Sequence, residues 1–191
     1  AMAFWTSAAL AQQKAESLTH ASEVLALSAE HALKGVPIHL RGIVTAAEKY
    51  WEGRFFIQDA SAGVFVDNIS DQQPSVGDLV EVSGISHPGA FAPVVSKPAW
   101  KKVGRAILPD AKPIAIERLV SGVEDGQRIE ATGIVRSSRE EHGLLSLDLV
   151  SGGCRFHVFA QPIPGLELPS LIGARVRVRG TAAPSFYAQL R

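Results

Sequence analysis

The stretch "IHLRGIVTA" at 38–46 is echoed by "IEATGIVRS" at 129–137, with Gly42 on Gly133 and Ile43-Val44 on Ile134-Val135. Further along, "VGDLVEVSGISHP" (76–88) is echoed by "IGARVRVRGTAAP" (172–184). Gly77, Val80, Val82, Gly84 and Pro88 there meet Gly173, Val176, Val178, Gly180 and Pro184. Between these blocks, "FFIQDASAGVFV" falls on "LSLDLVSGGCRF" when Gly63 is set on Gly153. The offsets are 91, 96 and 90 residues, so the copies differ in loop length and not in order. A chain of 191 residues that is one unit twice folds as two similar small domains, each with a modest core.

Each copy has a helical lead-in. "SEVLALSAEHALKG" offers Ser22 or Ser28 as N-cap and Gly35 as a stop, and "PIAIERLVSG" stops the same way at Gly122. The Pro-, Lys- and Gly-rich run at 97–113 reads as a last strand leading into a linker. The division expected is a helical segment at 1–35, a first barrel at 36–112 and a second at 113–191. "RVRVRG", "LVEVSG" and "LSLDL" alternate with the period of a half-buried strand. The glycine closing such runs suits a bulge or sharp bend. Four or five short strands in so little chain favour closure, which removes exposed edges. The fold expected is mainly β: two tandem OB-like five-stranded barrels with short helical lead-ins.

Nineteen basic residues balance nineteen acidic ones, whereas a dedicated duplex-DNA binder normally carries a basic excess. Nucleic acid is therefore not the partner expected. The single cysteine, Cys154, rules out an intramolecular disulfide and a cysteine-based metal site. No run of 18 apolar residues is present to span a membrane. Near the N-terminus, Ala9-Leu10-Ala11 has the small-x-small pattern of a signal-peptidase site, without the basic and long apolar regions that precede one. The tail of a secretory signal or anchor and a plain Ala-rich helix start both fit it.

The run "GIVT…FFIQDASAGVFVD…GDLVEVSGISHPGAFAPVV" resembles the tandem OB-type regions found outside the membrane in certain bacterial sensor histidine kinases. The resemblance covers roughly residues 20–191, and "QDASAG" and "PGAFAPVV" are its most specific parts. It implies an extracytoplasmic, periplasmic sensor module of a membrane-anchored two-component parent, able to dimerise, with the kinase activity in a longer protein. The second copy reaches only "PSFYAQLR", the counterpart of "PGAFAPVV", so its fifth strand is expected to be incomplete.

In the first hairpin, pairing Ile57 with Val64 sets Phe55 opposite Val66 on the inward face. Phe56 then stands opposite Phe65, and Gln58 opposite Gly63, on the outward one. The same register in the second copy turns Leu145, Leu147, Cys154 and Phe156 inward and Ser146, Asp148, Arg155 and His157 outward. Asp59 then sits at the turn, where a carboxylate accepts nearby backbone N–H groups, and Leu149 takes its place in the second copy. Exposed aromatics on the outer face of OB strands two and three stack bases or sugars, so Phe56 and Phe65 are candidates. Packing against the lead-in helices or the other barrel accounts for them as well. Tyr50 and Trp51, in the loop between strands one and two, are interface-type anchors that the second copy's "SSREEHG" lacks. A ligand held by only one copy would thus sit on the first. Phe91 and Tyr187, in the matched "PGAFAPVV" and "PSFYAQLR", complete the ligand- or partner-binding set.

Arg175, Arg177 and Arg179 share one strand face and could grip an anion, unless Glu130 or Glu140 pairs with them. The six histidines lack metal-ligand spacing, and Cys154 reads as a buried, inert thiol. No phosphate loop, nucleophile elbow or carboxylate pair is present, so neither enzymatic activity nor a cofactor is expected. The leading reading is a non-catalytic sensor module for an unknown small ligand or protein partner. A single-stranded nucleic-acid or oligosaccharide binder and a structural or oligomerising spacer are the alternatives.

Overall fold

The computed structural model of the chain describes residues 17–183; the Ala9-Leu10-Ala11 pattern and Tyr187 lie outside them. Two one-turn helices, α1 (Ala21–Leu25) and α2 (Ala29–Ala32), precede five strands. These are β1 (Pro37–Ala46), β2 (Phe55–Gln58), β3 (Gly63–Asp67), β4 (Asp78–His87) and β5 (Val94–Arg105). They close into a barrel in the order β1-β2-β3-β5-β4, β5 returning parallel to β3 through Val66 and Val95. That is the OB-like closure. Alternation places Leu40, Val44, Phe55, Ile57, Val64, Val66, Val80, Val82 and Val95 in one fully buried core. Burying a side chain of this kind contributes roughly 1.5–3 kcal/mol. The curl comes from two irregularities: a bulge between Val44 and Ala46, and a register shift at Gly84. A Cβ at Gly84 would stand 2.8 Å from the Ser96 carbonyl oxygen, so the glycine expected to bend the strand does so by letting β5 approach.

The described part of the lead-in packs on this barrel. Leu18 bridges in parallel to Ile38, and α1 plugs the core with Ala21 and Val24. Ser28 caps α2, accepting from the His31 N–H at 3.2 Å, and Gly35 turns the chain at a φ of +67°. The α1 cap position falls to His20 and not Ser22.

The second copy repeats this plan from its first residues. β6 (Lys112–Pro113) runs parallel on β7 (Arg128–Glu141) as Leu18 does on β1, and α3 (Ile116–Val120) then follows as α1 does. β8 (Leu144–Ser151), β9 (Cys154–Ala160) and β10 (Arg175–Thr181) give the order β10-β7-β8-β9 among the described residues. Val135, Leu149 and Phe156 lie in its core.

The expected register of the first hairpin is the one observed: Phe55↔Val66, Phe56↔Phe65, Ile57↔Val64, Gln58↔Gly63. The second hairpin departs from the expectation by two residues. Ile43 pairs with Gln58 as Ile134 pairs with Val150, and Gln58 with Gly63 as Val150 with Arg155. Gly63 therefore matches Arg155, Phe65 matches His157, Phe56 matches Asp148 and Asp59 matches Ser151. Leu149 is not at the turn but fully buried in β8. The two glycines that suggested the other alignment serve different ends. Gly153 and Gly152, at φ +82° and +53°, make the two-residue turn of β8–β9. Gly63 serves the contact between the barrels.

Candidate binding face

Directly paired residues of adjacent antiparallel strands point to the same side of the sheet, so the pairings define rows across each outer face. In the first barrel one row reads Leu79–Ile43–Gln58–Gly63 and the next Ala46–Phe56–Phe65. This face is shut. A Cβ at Gly63 would stand 1.9 Å from the Gly126 carbonyl oxygen, so the segment before β7 lies directly against it. Gln58 Oε1 accepts the Arg128 N–H at 2.9 Å, and Glu48 Oε2 accepts from Gln161 Nε2 at 3.0 Å. Burial pushes the Glu48 carboxyl up, against that hydrogen bond. Tyr50 stacks on His142 of the second barrel at 5.7 Å, and Trp51 stands edge-on to Phe56 at 6.0 Å.

Phe56 and Phe65, ring centroids 5.0 Å apart, keep only 1% and 8% of their surface. They are closed to a free ligand, and of the two readings the sequence left open, the structure gives packing. Tyr50 and Trp51 are half-buried at the same joint. Phe91 is 64% exposed on the turn between β4 and β5.

The matching part of the second copy's face is open, although Ser146, expected outward one row further on, is fully buried. Its row reads Arg175–Ile134–Val150–Arg155, followed by Ser137–Asp148–His157. Between the two rows a bulge inserts Arg136, where the first copy has the buried Thr45. Arg136, Arg155, Arg175 and Ile134 are exposed. Among the described residues the three arginines have no ion-pair partner. Arg177 and Arg179 do: Glu130 receives them at 3.7 and 2.7 Å. The stripe read from the sequence thus divides, with two members neutralised by the expected acid and Arg175 left to join Arg136 and Arg155. Parity along β9 marks Arg155 as outward in the sequence; no sequence signal marks Arg136, because a bulge shifts parity.

Asp148 accepts from Arg139 Nη1 at 3.0 Å and faces His157 Nδ1 at 2.6 Å. Asp59 is structural, as its turn position suggests. Oδ1 accepts from the Ser61 and Ala62 N–H groups and the Ser61 hydroxyl, and Oδ2 takes the Ala21 N–H of α1 at 2.8 Å. Burial raises its carboxyl, and the donors on Ser61, Ala21 and Ala62 outweigh burial and hold it below the usual carboxylate range. Cys154, half-buried, packs against the second core. Among the described residues no group of His, Cys, Asp and Glu is arranged to hold a metal ion, and no helix is long and apolar enough to cross a membrane.

No family model and no curated protein matches the chain. Solved structures do. The HINa domain of Ifi202 in complex with a 20-bp double-stranded DNA is 13% identical over 64% of this chain and 73% of that one, with a TM-score of 0.32. A structure described as structural mimicry for functional antagonism is 12% identical over 73% and 78%, with a TM-score of 0.33. Another, described as the molecular basis for abrogation of activation of pro-inflammatory cytokines, gives 12%, 66%, 76% and 0.33. At these identities and TM-scores the likeness carries no argument about what this chain binds. None of the comparisons concerns sensor histidine kinases, so the kinase parent and periplasmic placement rest on the sequence resemblance. What the described residues supply is one OB-like face closed by its neighbour and one exposed face set with three guanidiniums that have no ion-pair partner among them.

Proposed function

We propose that the chain is a non-catalytic binding module that takes a single strand of nucleic acid on the outer face of β7–β10, with the first barrel as its support. One observation carries this reading: positions that are Thr45, Gly63 and Leu79 on the closed face are Arg136, Arg155 and Arg175 on the open one. Net neutrality does not oppose it, because Arg136, Arg155 and Arg175 are gathered on one face and are not among the arginines that Glu130 and Asp148 engage. Guanidiniums suit phosphate by their planar donor fork, and Ile134 and Val150 between them give an apolar floor. Arg155 in place of Gly63 also keeps a second barrel from docking here as it does on the first, since that contact has no room even for a Cβ.

Fluorescence anisotropy with a labelled 15-nucleotide strand tests the proposal. Three neutralised phosphates predict a slope of about −2 in log K against log salt, and Arg155→Gln or Arg175→Gln should each flatten it by about 0.7. Absence of binding at low salt, or a slope indifferent to all three arginines, overturns it. Tight binding of neutral oligosaccharides with no salt dependence would assign the face to sugars instead.

A further inference from the structure

We infer that His157 is the base-stacking residue of this face, its ring held in place by Asp148. The inference rests on the single-strand reading above and names the part of the ligand that phosphate contacts leave unread. Three observations converge on this ring. It belongs to the row adjoining Arg155, two residues along β9, so their Cα atoms lie a pleat repeat of about 7 Å apart with both side chains on the same side. Nδ1 is fixed by the Asp148 carboxylate at 2.6 Å, and that carboxylate is itself fixed by Arg139 at 3.0 Å; the side chain is nevertheless 57% exposed. A ring restrained at one nitrogen loses little further freedom when a base settles on it. Finally, the first copy has Phe65 at the matching position, where the ring packs against Phe56 at 5.0 Å. Both copies place an aromatic ring there: the first uses it within the protein, and the second leaves it open. Histidine is among the rings on which unpaired bases stack.

The ligand is therefore an unpaired base next to a phosphodiester. The discriminating probe is a pair of 15-mers, oligothymidylate and its abasic counterpart, which share the backbone and differ only in bases. The intact protein should bind the base-bearing strand about 5- to 150-fold more tightly, the range of one base–aromatic stack. His157→Ala should remove that preference without changing the salt slope, and His157→Phe should restore it. Asp148→Asn, which loosens the ring, should reduce the preference without abolishing it. An RNA 15-mer set beside the DNA strand separates the two sources of the same chemistry.

Equal affinity of the intact protein for both strands, or an unchanged preference in His157→Ala, overturns the inference. The arginine-dependent binding would then stand alone. Failure of every strand to bind would remove the single-strand reading and this inference together.

Discussion

Gly63→Ala adds one methyl group at the joint between the barrels. The new Cβ would meet the Gly126 carbonyl oxygen at 1.9 Å and its carbon at 2.5 Å, and both are backbone atoms with no rotamer to escape into. Gly63 lies outside the left-handed region, so the contact alone sets the cost. Overpacking of this kind costs about 1–3 kcal/mol. Full separation of the two copies would give up the Gln58–Arg128 and Glu48–Gln161 hydrogen bonds, about 1 kcal/mol each, and the Tyr50–His142 stack, about 0.5–1.5 kcal/mol. A local shift relieves the overlap while keeping most contacts across the joint, so the joint should loosen locally and not come apart. For a chain of this size we expect a fall in Tm of about 2–12 °C. Hydrogen exchange gives the local readout: the Arg128 amide, held by Gln58, should exchange faster while core amides of β4 keep their protection. Gly104→Ala is the control, since a Cβ there meets nothing within 4 Å. A Gly63→Ala protein with an unchanged Tm and an unchanged Arg128 amide would refute the reasoning.

Asp125, beside Gly126 at this joint, is pushed up to about 6 by burial against a single opposing backbone hydrogen bond from Gly126. An acid whose folded value exceeds its unfolded one binds more protons when folded, so stability should fall as pH rises from about 4 to 6. Asp125→Asn should flatten that limb of a denaturation-versus-pH curve and raise stability at pH 7 by on the order of 3 kcal/mol. Asp59 has the opposite sign: its depressed carboxyl stabilises above the ordinary carboxylate range, and that support is lost as pH falls through it. Asp59→Ala should cost about 1–2 kcal/mol, as loss of a capping side chain does, and should speed exchange of the Ala21 amide; unchanged exchange there would detach α1 from the turn.

Much of this protein was legible in its residues because side chains alternate along a strand with a period of two. The duplication, the inward and outward faces, the first hairpin's pairing and Asp59 as a turn residue all follow from that period and from local backbone demand. The same period explains the misreading of the second hairpin. A slip of two residues preserves every inward and outward assignment, so only the strand pairing itself could place Leu149 in the core and Ser151 at the turn. Neither Gly63 nor Gly153 carries a mark telling a close approach from a tight turn. Which face is closed was decided by docking. Closure of the face at Gly63 depends on Gly126, more than sixty residues away in the chain. The sequence alone determined two OB-like copies with two outward faces; among the described residues closure is seen in the first. The tertiary structure decided which face the protein uses on itself and which leaves Arg136, Arg155 and Arg175 exposed, because docking is set by contacts far apart in the chain.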